Sequence, residues 1–438
     1  MHPALQLRRL SGIEKEVIDV LAGRAEGLSQ VRLGDLMQTR LSQTKLSRVM
    51  SKLVADGLLH KAGRTSNSRF RLTDAAAWFA RPPQLRPAVS YDRARIEDYV
   101  PNRSRWLPDA DAARMADAAR GVAHQLDAST YSRQIAERFL IDLSWASSAL
   151  EGNTYDYLDT EALLKFGQRA SGHDLVEATM ILNHKYAIAQ LLDKVGEPVL
   201  NPQFVARLHA MLMRDLLAPE DLGRIRSNEV GIGGSAYRPT TDRTVLAAGL
   251  GSLLWKASEV TDPFEASFFL LAGVSYLQSF VDGNKRLGRL LCNVPLLWQG
   301  MPPMSFVGVD KADYLTGLIV FYELGDPSVL GRSVAFAYQG SAPSYSAALA
   351  TRRIPRSVEL QQRPRIEAMV QGYVEAAIAG SGEPPAAFAA SRLRELDEDD
   401  RQILEGTFVG IIAALTPENA AAWGVDADKA EQFRARRR

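Results

Sequence analysis

The segment from Gln278 to Arg289, QSFVDGNKRLGR, gathers residue types that bind phosphate at spacings a helix start can use. Gly283 permits a sharp backbone turn, and the amides of Gly283, Asn284 and Lys285 then open the next helix and point at any anion docked there. Arg286 and Arg289 stand three apart, so one helical face carries both guanidinium groups, and Lys285 adds a further cation. Asp282 repels a phosphate unless a divalent cation lies between them, and oxygen ligation of Mg2+ shared with a phosphate chain suits it. The chemistry such a set points to is capture of a metal-bound polyphosphate. D-G-N is also a common turn between helices, with the arginines on a solvated face. The segment taken alone fits both descriptions.

The turn needs a helix on each side. The apolar run before it ends at Tyr276-Leu277, and 3.6-residue spacing persists from about 108 to 345, broken by a glycine-rich stretch at 223–239. The middle of the chain is therefore expected to be mainly α. Residues 81–107 carry several prolines and little periodicity and read as a linker or wrapped strap. Residues 346–438 read as a smaller helical region with a basic end.

Residues 1–80 show three short helical stretches followed by a turn-rich ribbon, the pattern of a winged helix-turn-helix. In the third stretch Leu46, Val49, Met50, Leu53 and Val54 share one face, with Lys45, Arg48 and Lys52 directed elsewhere. In the ribbon, Phe70 and Leu72 alternate inward. Between 31 and 71, nine basic residues (Arg32, Arg40, Lys45, Arg48, Lys52, Lys61, Arg64, Arg69 and Arg71) stand against Asp35 and Asp56 alone. Such a local excess is the electrostatic footprint of duplex DNA binding, with Lys45, Arg48, Lys52, Arg64 and Arg69 the expected contacts. Folds of this kind also serve as protein-binding modules.

Bulk composition narrows the classes. At 438 residues the chain is too long for one core, and 46% hydrophobic residues exclude a disordered chain. With 52 Lys+Arg against 51 Asp+Glu there is no global field for nucleic acid, so any such binding must be local. One cysteine, Cys292, excludes an intramolecular disulfide framework and fits a reducing compartment. The six histidines show no metal-ligand spacing, and neither His173 nor His184 is expected to have a partner at i+4. The first residues lack the apolar core of a signal peptide, and the most apolar run, 264–277, is too short to span a bilayer. A cytoplasmic protein without a membrane partner is the expectation.

The segment 278–289 is similar to the Fic (fido) signature H-P-F-x-D-G-N-[GK]-R-x-x-R, matching at Phe280, Asp282, Gly283, Asn284, Lys285, Arg286 and Arg289. Two further segments resemble that family's motifs. SSALEGNT at 147–154 looks like its inhibitory helix motif, filled by Ser147, Glu151 and Gly152. GRIRSNEVGIGGSAYRP at 223–239 looks like its flap hairpin, including Gly231, Ile232, Gly233, Gly234, Ser235 and Tyr237. The resemblance covers roughly residues 90–345. It implies an all-helical Fic fold with a small β-hairpin flap, binding ATP with Mg2+ and transferring AMP to hydroxyl side chains of a target protein.

The same resemblance implies roles for single residues. Asp282 would hold the metal, Asn284 and the turn amides the phosphates, and Arg289 the γ-phosphate. The flap would align an extended stretch of target protein by backbone hydrogen bonds along Gly231, Ile232 and Gly233. Glu151 would pair with Arg289 and displace the γ-phosphate, an autoinhibition by one ion pair. E-G-N also reads as a helix stop, and both can hold.

One position departs from the pattern. Gln278 stands where the family's histidine takes the proton from the target hydroxyl, with Ser279 where proline is usual. A glutamine amide accepts no proton near neutral pH, so it can orient a group but cannot act as the base. Tyr276-Leu277-Gln278-Ser279-Phe280 resembles a variant of the motif written Y-L-Q-P-F. Several functions stay open at this level. They are a restrained transferase of AMP or another nucleoside monophosphate, an AMP-removing hydrolase using Glu151, a DNA-bound regulator with a nucleotide-sensing Fic body, and an interaction scaffold. Self-association as a homodimer is also expected, through no surface the residues name.

Overall fold

The computed structural model describes residues 1–437 other than 64–67, 124–127, 194–199, 351–361 and 418. Arg64, an expected DNA contact, lies outside the described residues.

The first part contains α1 (Pro3–Arg9), α2 (Gly12–Leu21), β1 (Leu28–Ser29), α3 (Gln30–Leu36), α4 (Gln43–Ala55), β2 (Leu59–Ala62), β3 (Arg69–Leu72) and α5 (Asp74–Ala80). The strands pair antiparallel in the order β1-β3-β2. Ser42 caps α4 by accepting from the Lys45 amide, and the apolar face of α4 buries Leu46, Met50 and Leu53. Phe70 and Leu72 of β3 point inward while Arg69 and Arg71 face solvent. These side chains, with Val17, Ile18 and Leu33, close a small core. Helices α1 and α5 instead lean on the following domain, where Leu5 and Phe79 pack with Val320 and Val329.

The strap is β4 (Val89–Ser90) and α6 (Ala94–Glu97). It is no free linker: Ile96, Tyr99 and Leu107 are part of the main core. Tyr99 stacks on Phe269 at 4.0 Å between ring centroids. Lys256 extends its ammonium to the carbonyls of Ile96 and Tyr99 at 2.9 and 2.7 Å.

The body runs through α7 (Asp109–Ala123), α8 (Ala128–Glu151), α9 (Tyr157–Phe166), α10 (Leu175–Leu192), α11 (Pro202–Met213), β5 (Tyr237–Arg238), α12 (Arg243–Glu259), α13 (Pro263–Leu277), α14 (Asn284–Leu291), α15 (Asn293–Trp298), α16 (Lys311–Leu324) and α17 (Ser328–Ala350). Its axis is α13, buried from Phe264 to Leu277 and packed against α7, α12, α14, α15 and α16. The apolar run 264–277 is thus a core helix, and no helix among the described residues is long and apolar enough to cross a membrane.

A second core closes the far end with α18 (Arg363–Ile378), α19 (Pro385–Arg392), α20 (Glu398–Ala414) and α21 (Ala427–Arg437). It meets the body where the Trp423 indole donates to the Phe166 carbonyl at 3.3 Å.

The flap corrects one expectation. Among the described residues, 223–239 forms no hairpin of its own. Its one strand, β5, pairs in parallel with β4 of the strap, Val89 beside Tyr237 and Ser90 beside Arg238. Three glycines between 231 and 234 give the outer arm little to pack with, so 227–234 stay exposed or half-buried while Arg226, Ser235–Tyr237 and Pro239 are buried.

Candidate active site

Helix α13 ends at Leu277 because Gln278 turns left-handed, with φ 51° and ψ 51°, a strained conformation for a residue with a side chain. Five residues later Gly283, at φ 76°, opens α14. A Cβ there would stand 2.6 Å from the Met213 sulfur, so glycine is required by space as well as by angle. Asn284 holds the turn from inside. Its side-chain oxygen accepts from the Phe280 amide at 3.0 Å, and its amide nitrogen donates to the Phe280 carbonyl at 2.8 Å and to Gln278 Oε1 at 3.1 Å. Gln278 Nε2 donates to the Ser275 carbonyl at 2.6 Å. Both ends of the Gln278 amide are therefore occupied within the chain.

The cations converge on the start of α14. Arg286 is nearly buried and donates Nη2 to Asp282 Oδ2 at 2.7 Å, while its Nε and Nη1 are buried with no partner. Arg289 is fully buried. It donates Nε to Ser147 Oγ at 2.9 Å and Nη2 to the Ser147 carbonyl at 3.1 Å and to Glu151 Oε1 at 2.7 Å. Lys285, expected on phosphate, holds the other Glu151 oxygen at 3.1 Å. Burial alone would raise the Glu151 carboxyl. Arg289, then Lys285, outweigh it and hold the group at about 2. Helix α8 ends at Glu151, with Gly152 left-handed at φ 106°, so the stop and the ion pair coexist.

Three supports had no signal in the sequence. His184 lies on α10; its Nδ1–H donates to the Met180 carbonyl at 2.8 Å, so Nε2 accepts from Ser147 Oγ at 2.9 Å. Burial keeps it neutral, its pKa pushed down to about 3. His209 accepts the Gly223 amide at Nδ1, 3.0 Å, and donates Nε2–H to the Asp282 carbonyl at 3.0 Å, stacking on Phe280 at 4.0 Å. Burial lowers it to about 4. Both histidines lie among apolar neighbours at helical spacing, where core packing explains them equally well. Arg226 ties the flap to the loop. Its Nε donates to the Gln278 carbonyl at 2.6 Å, its Nη1 and Nη2 to the carbonyls of Asn228 and Thr240, and its backbone amide to the Ser279 carbonyl.

At the flap, Gly231, Gly233 and Gly234 are exposed and Ile232 is half-buried, while Ser235 and Tyr237 are buried. Tyr237 donates its hydroxyl to the Tyr276 carbonyl at 2.9 Å, two residues before Gln278. An open groove of about 1050 Å³ lies between flap and strap, walled by Tyr91, Arg93, Val230, Gly231 and Arg238.

No three His, Cys, Asp or Glu side chains among the described residues come together for a metal. His173 does have an i+4 partner, since Glu177 lies 3.3 Å from it, but the pair builds no metal centre. Asp282 is 61% exposed, with Oδ2 on Arg286 and the other oxygen unbonded among the described residues. One accessible carboxylate is the donor set Mg2+ takes when phosphates supply most of the remaining ligands, so the residues fit.

On the N-terminal domain, Lys45, Arg48 and Lys52 are exposed along α4. Lys52 is paired with Glu14 at 2.5 Å, which diminishes its part in any basic face. Arg69 is exposed on β3 and donates to the Gly27 carbonyl at 3.4 Å.

Residues 199–296, spanning α11 to α15, match the Fic/DOC family. The chain is 26% identical over 276 residues to a Caenorhabditis elegans protein named protein adenylyltransferase fic-1, covering 60% of this chain and 53% of the relative. It is 26% identical over 225 residues to protein adenylyltransferase Fic of Nematostella vectensis, covering 49% and 52%. The chain spans about half the length of the curated relatives it matches. Among solved structures, Fic-1 of C. elegans aligns with a TM-score of 0.48 at 22% identity, covering 56% of this chain and 74% of that one. A Fic family protein of Desulfovibrio desulfuricans G20 aligns at 0.47 and 20% identity, covering 70% and 86%. With its turn, its arginines and the family match on one stretch of sequence, this chain carries a domain of the Fic/DOC family.

Proposed function

We propose that the body binds ATP with Mg2+ at the start of α14 and transfers AMP to hydroxyl side chains of a target protein, and that the state described is latched by Glu151. One observation carries the reading. Arg286 and Arg289 are buried side by side, two guanidinium nitrogens of Arg286 have no partner among the described residues, and the nearby Glu151 occupies Arg289. Buried donors without partners cost about 1–3 kcal/mol each, so the pocket is built for an anion that comes and goes. The names of the curated relatives supply the chemistry of that anion.

Mg2+ held by Asp282 would neutralise charge on the phosphate chain and help to orient it. The chain's own residues do the rest. The turn braced by Asn284 presents the α14 amides to phosphate, Arg286 offers its free N–H groups, and Arg289 takes the terminal phosphate once Glu151 leaves. The flap supports target docking, because Glu229, Val230 and Gly231 make no backbone hydrogen bonds among the described residues. Their peptide groups stay available to an extended partner. Gln278 braces Asn284 and supplies no base, which lowers the rate by about 10²–10⁴ relative to a general-base enzyme. Positioning and electrostatics remain.

The test is incubation of labelled ATP and Mg2+ with a cell lysate and the parent protein, Glu151→Gly or Gln278→His. Labelling of a protein band by the parent, stronger with Glu151→Gly, supports transfer. Labelling by Gln278→His alone would show that the parent is no AMP transferase and confine its function to nucleotide binding.

A second reading concerns the N-terminal domain. Lys45 and Arg48 are exposed on one face of α4 without an acidic partner among the described residues, and the helices and sheet follow a winged-helix order. This supports duplex DNA binding through α4, tested by fluorescence anisotropy across a salt series.

A further inference from the structure

A buried carboxylate joins the N-terminal domain to the flap. Glu323, one residue before the end of α16, has a side chain with no exposure to solvent. Its Oε1 accepts from Ser235 Oγ and from the Ala236 amide, both at 2.7 Å. Its Oε2 accepts from the Trp78 indole N–H at 2.6 Å. Arg86 of the strap lies across the carboxylate, with Nη1 3.3 and 3.2 Å from the two oxygens. One oxygen thus holds the flap root, the other holds α5, and a single delocalised charge serves both. A buried charge must be fully bonded, so loss of either arm leaves the carboxylate under-satisfied and weakens its hold on the other.

The flap depends on this arrangement more than an ordinary strand would. With no hairpin partner, the root has two anchors for the peptide groups of Ala236. Its carbonyl accepts from Val89 of the strap at 3.0 Å, and its amide goes to Glu323. Beyond that root lie the left-handed Gly234 and the free peptide groups proposed to dock the target.

We propose that Glu323 is the positioning residue of the flap and couples it to the N-terminal domain, so that displacement of α5 loosens the target-docking edge and flap engagement steadies α5. The reciprocity is required of any linkage between two sites. The proposal rests on the reading of the flap as a docking edge, but its test does not use transfer activity.

The experiment is hydrogen–deuterium exchange of the full chain, followed by mass spectrometry with resolution at the Ala236 amide. Trp78→Phe keeps an aromatic ring at this place but removes the pyrrole part of the indole, and with it the N–H that bonds Glu323. It is expected to raise exchange at Ala236 at least threefold, across more than 150 residues of sequence, with 264–277 of the central helix unchanged. Ser235→Ala is expected to raise exchange in 74–80 in return, and Glu323→Gln to raise both segments. If Trp78→Phe leaves Ala236 exchange at the parent value, or if all body segments rise together, the coupling is overturned. A flap that docks no target would leave this exchange pattern intact, so the two readings fail separately.

Discussion

Replacing Glu151 by glutamine should weaken the empty protein and strengthen nucleotide binding at once. The carboxyl is held at about 2 instead of its ordinary 4.5, because Arg289 and Lys285 outweigh the cost of burial. That difference corresponds to about 3 kcal/mol favouring the ionised, paired form. Glutamine keeps the shape and one acceptor but gives up the charge, leaving the fully buried Arg289 uncompensated. The unliganded variant should therefore melt earlier than the parent. ATP must displace Glu151 from Arg289 in the parent and need not do so in the variant, so apparent affinity should rise by up to about 100-fold. Calorimetric titration of ATP with Mg2+ gives the affinities, and thermal unfolding with and without ATP gives the two stabilities. A side chain that served only structure would lower both. Equal affinity and equal melting in parent and variant would refute the latch.

The same packing sets further outcomes. His184 and His209 are neutral when folded, at about 3 and about 4, and titrate near 6.5 when unfolded. The unfolded chain therefore binds more protons below pH 6.5, and stability falls with pH in that range. Between pH 7.5 and 5.0 the loss should be about 2 kcal/mol for each, read from denaturant unfolding; a flat profile would count against their burial. The Glu151 latch, with its depressed carboxyl, keeps its contribution above the unfolded value near 4.5 and loses it only as pH falls towards about 2. ATP affinity should accordingly not improve between pH 8 and pH 5. Gly283→Ala places a methyl 2.6 Å from the Met213 sulfur in a left-handed residue, which should cost about 1–3 kcal/mol and weaken ATP binding in calorimetry. Arg48→Ala should lower duplex affinity and reduce the slope against log salt by about 1, whereas Lys52→Ala, already paired with Glu14, should change it less.

The turn and its cations were legible because their requirements are local. Gly283, Asn284, Arg286 and Arg289 sit within one loop and two helical turns, so residue type and spacing alone bring them together, although an ordinary turn between helices fits the same segment and only the resemblance to a family motif separates the two. The Glu151–Arg289 pair, 138 residues apart, was reached through resemblance to a motif and not through any pattern the chain itself displays. His184, His209 and Arg226 were invisible for a physical reason. Each acts by a hydrogen bond to backbone or hydroxyl groups far away in sequence, and such partners leave no periodicity. Lys285 was assigned to phosphate on charge, but charge does not say which anion a flexible ammonium will meet first. The flap was misread as a hairpin because the glycine-rich motif marks a turn while saying nothing about which strand lies beside it. That strand comes from the strap, nearly 150 residues earlier.

The strap also sets a constraint on synthesis. Its partners are made long after it: Val89 waits for Tyr237, the Asp92 amide for the Tyr276 hydroxyl, and Ile96 for Lys256. At ribosomal speeds of roughly 5–20 residues per second, that gap leaves Tyr91, Tyr99 and Trp106 without their native neighbours for on the order of ten seconds or more. The N-terminal domain, with its own core, can fold in that interval, while the strap behind it offers bare aromatic surface to chaperones. A fragment begun at 108 would lack these side chains altogether, leaving the Glu265 carboxylate without the Tyr99 hydroxyl and the amides of Trp106 and Leu107 that now bond it. Isolating the helical body intact therefore means starting ahead of Arg86.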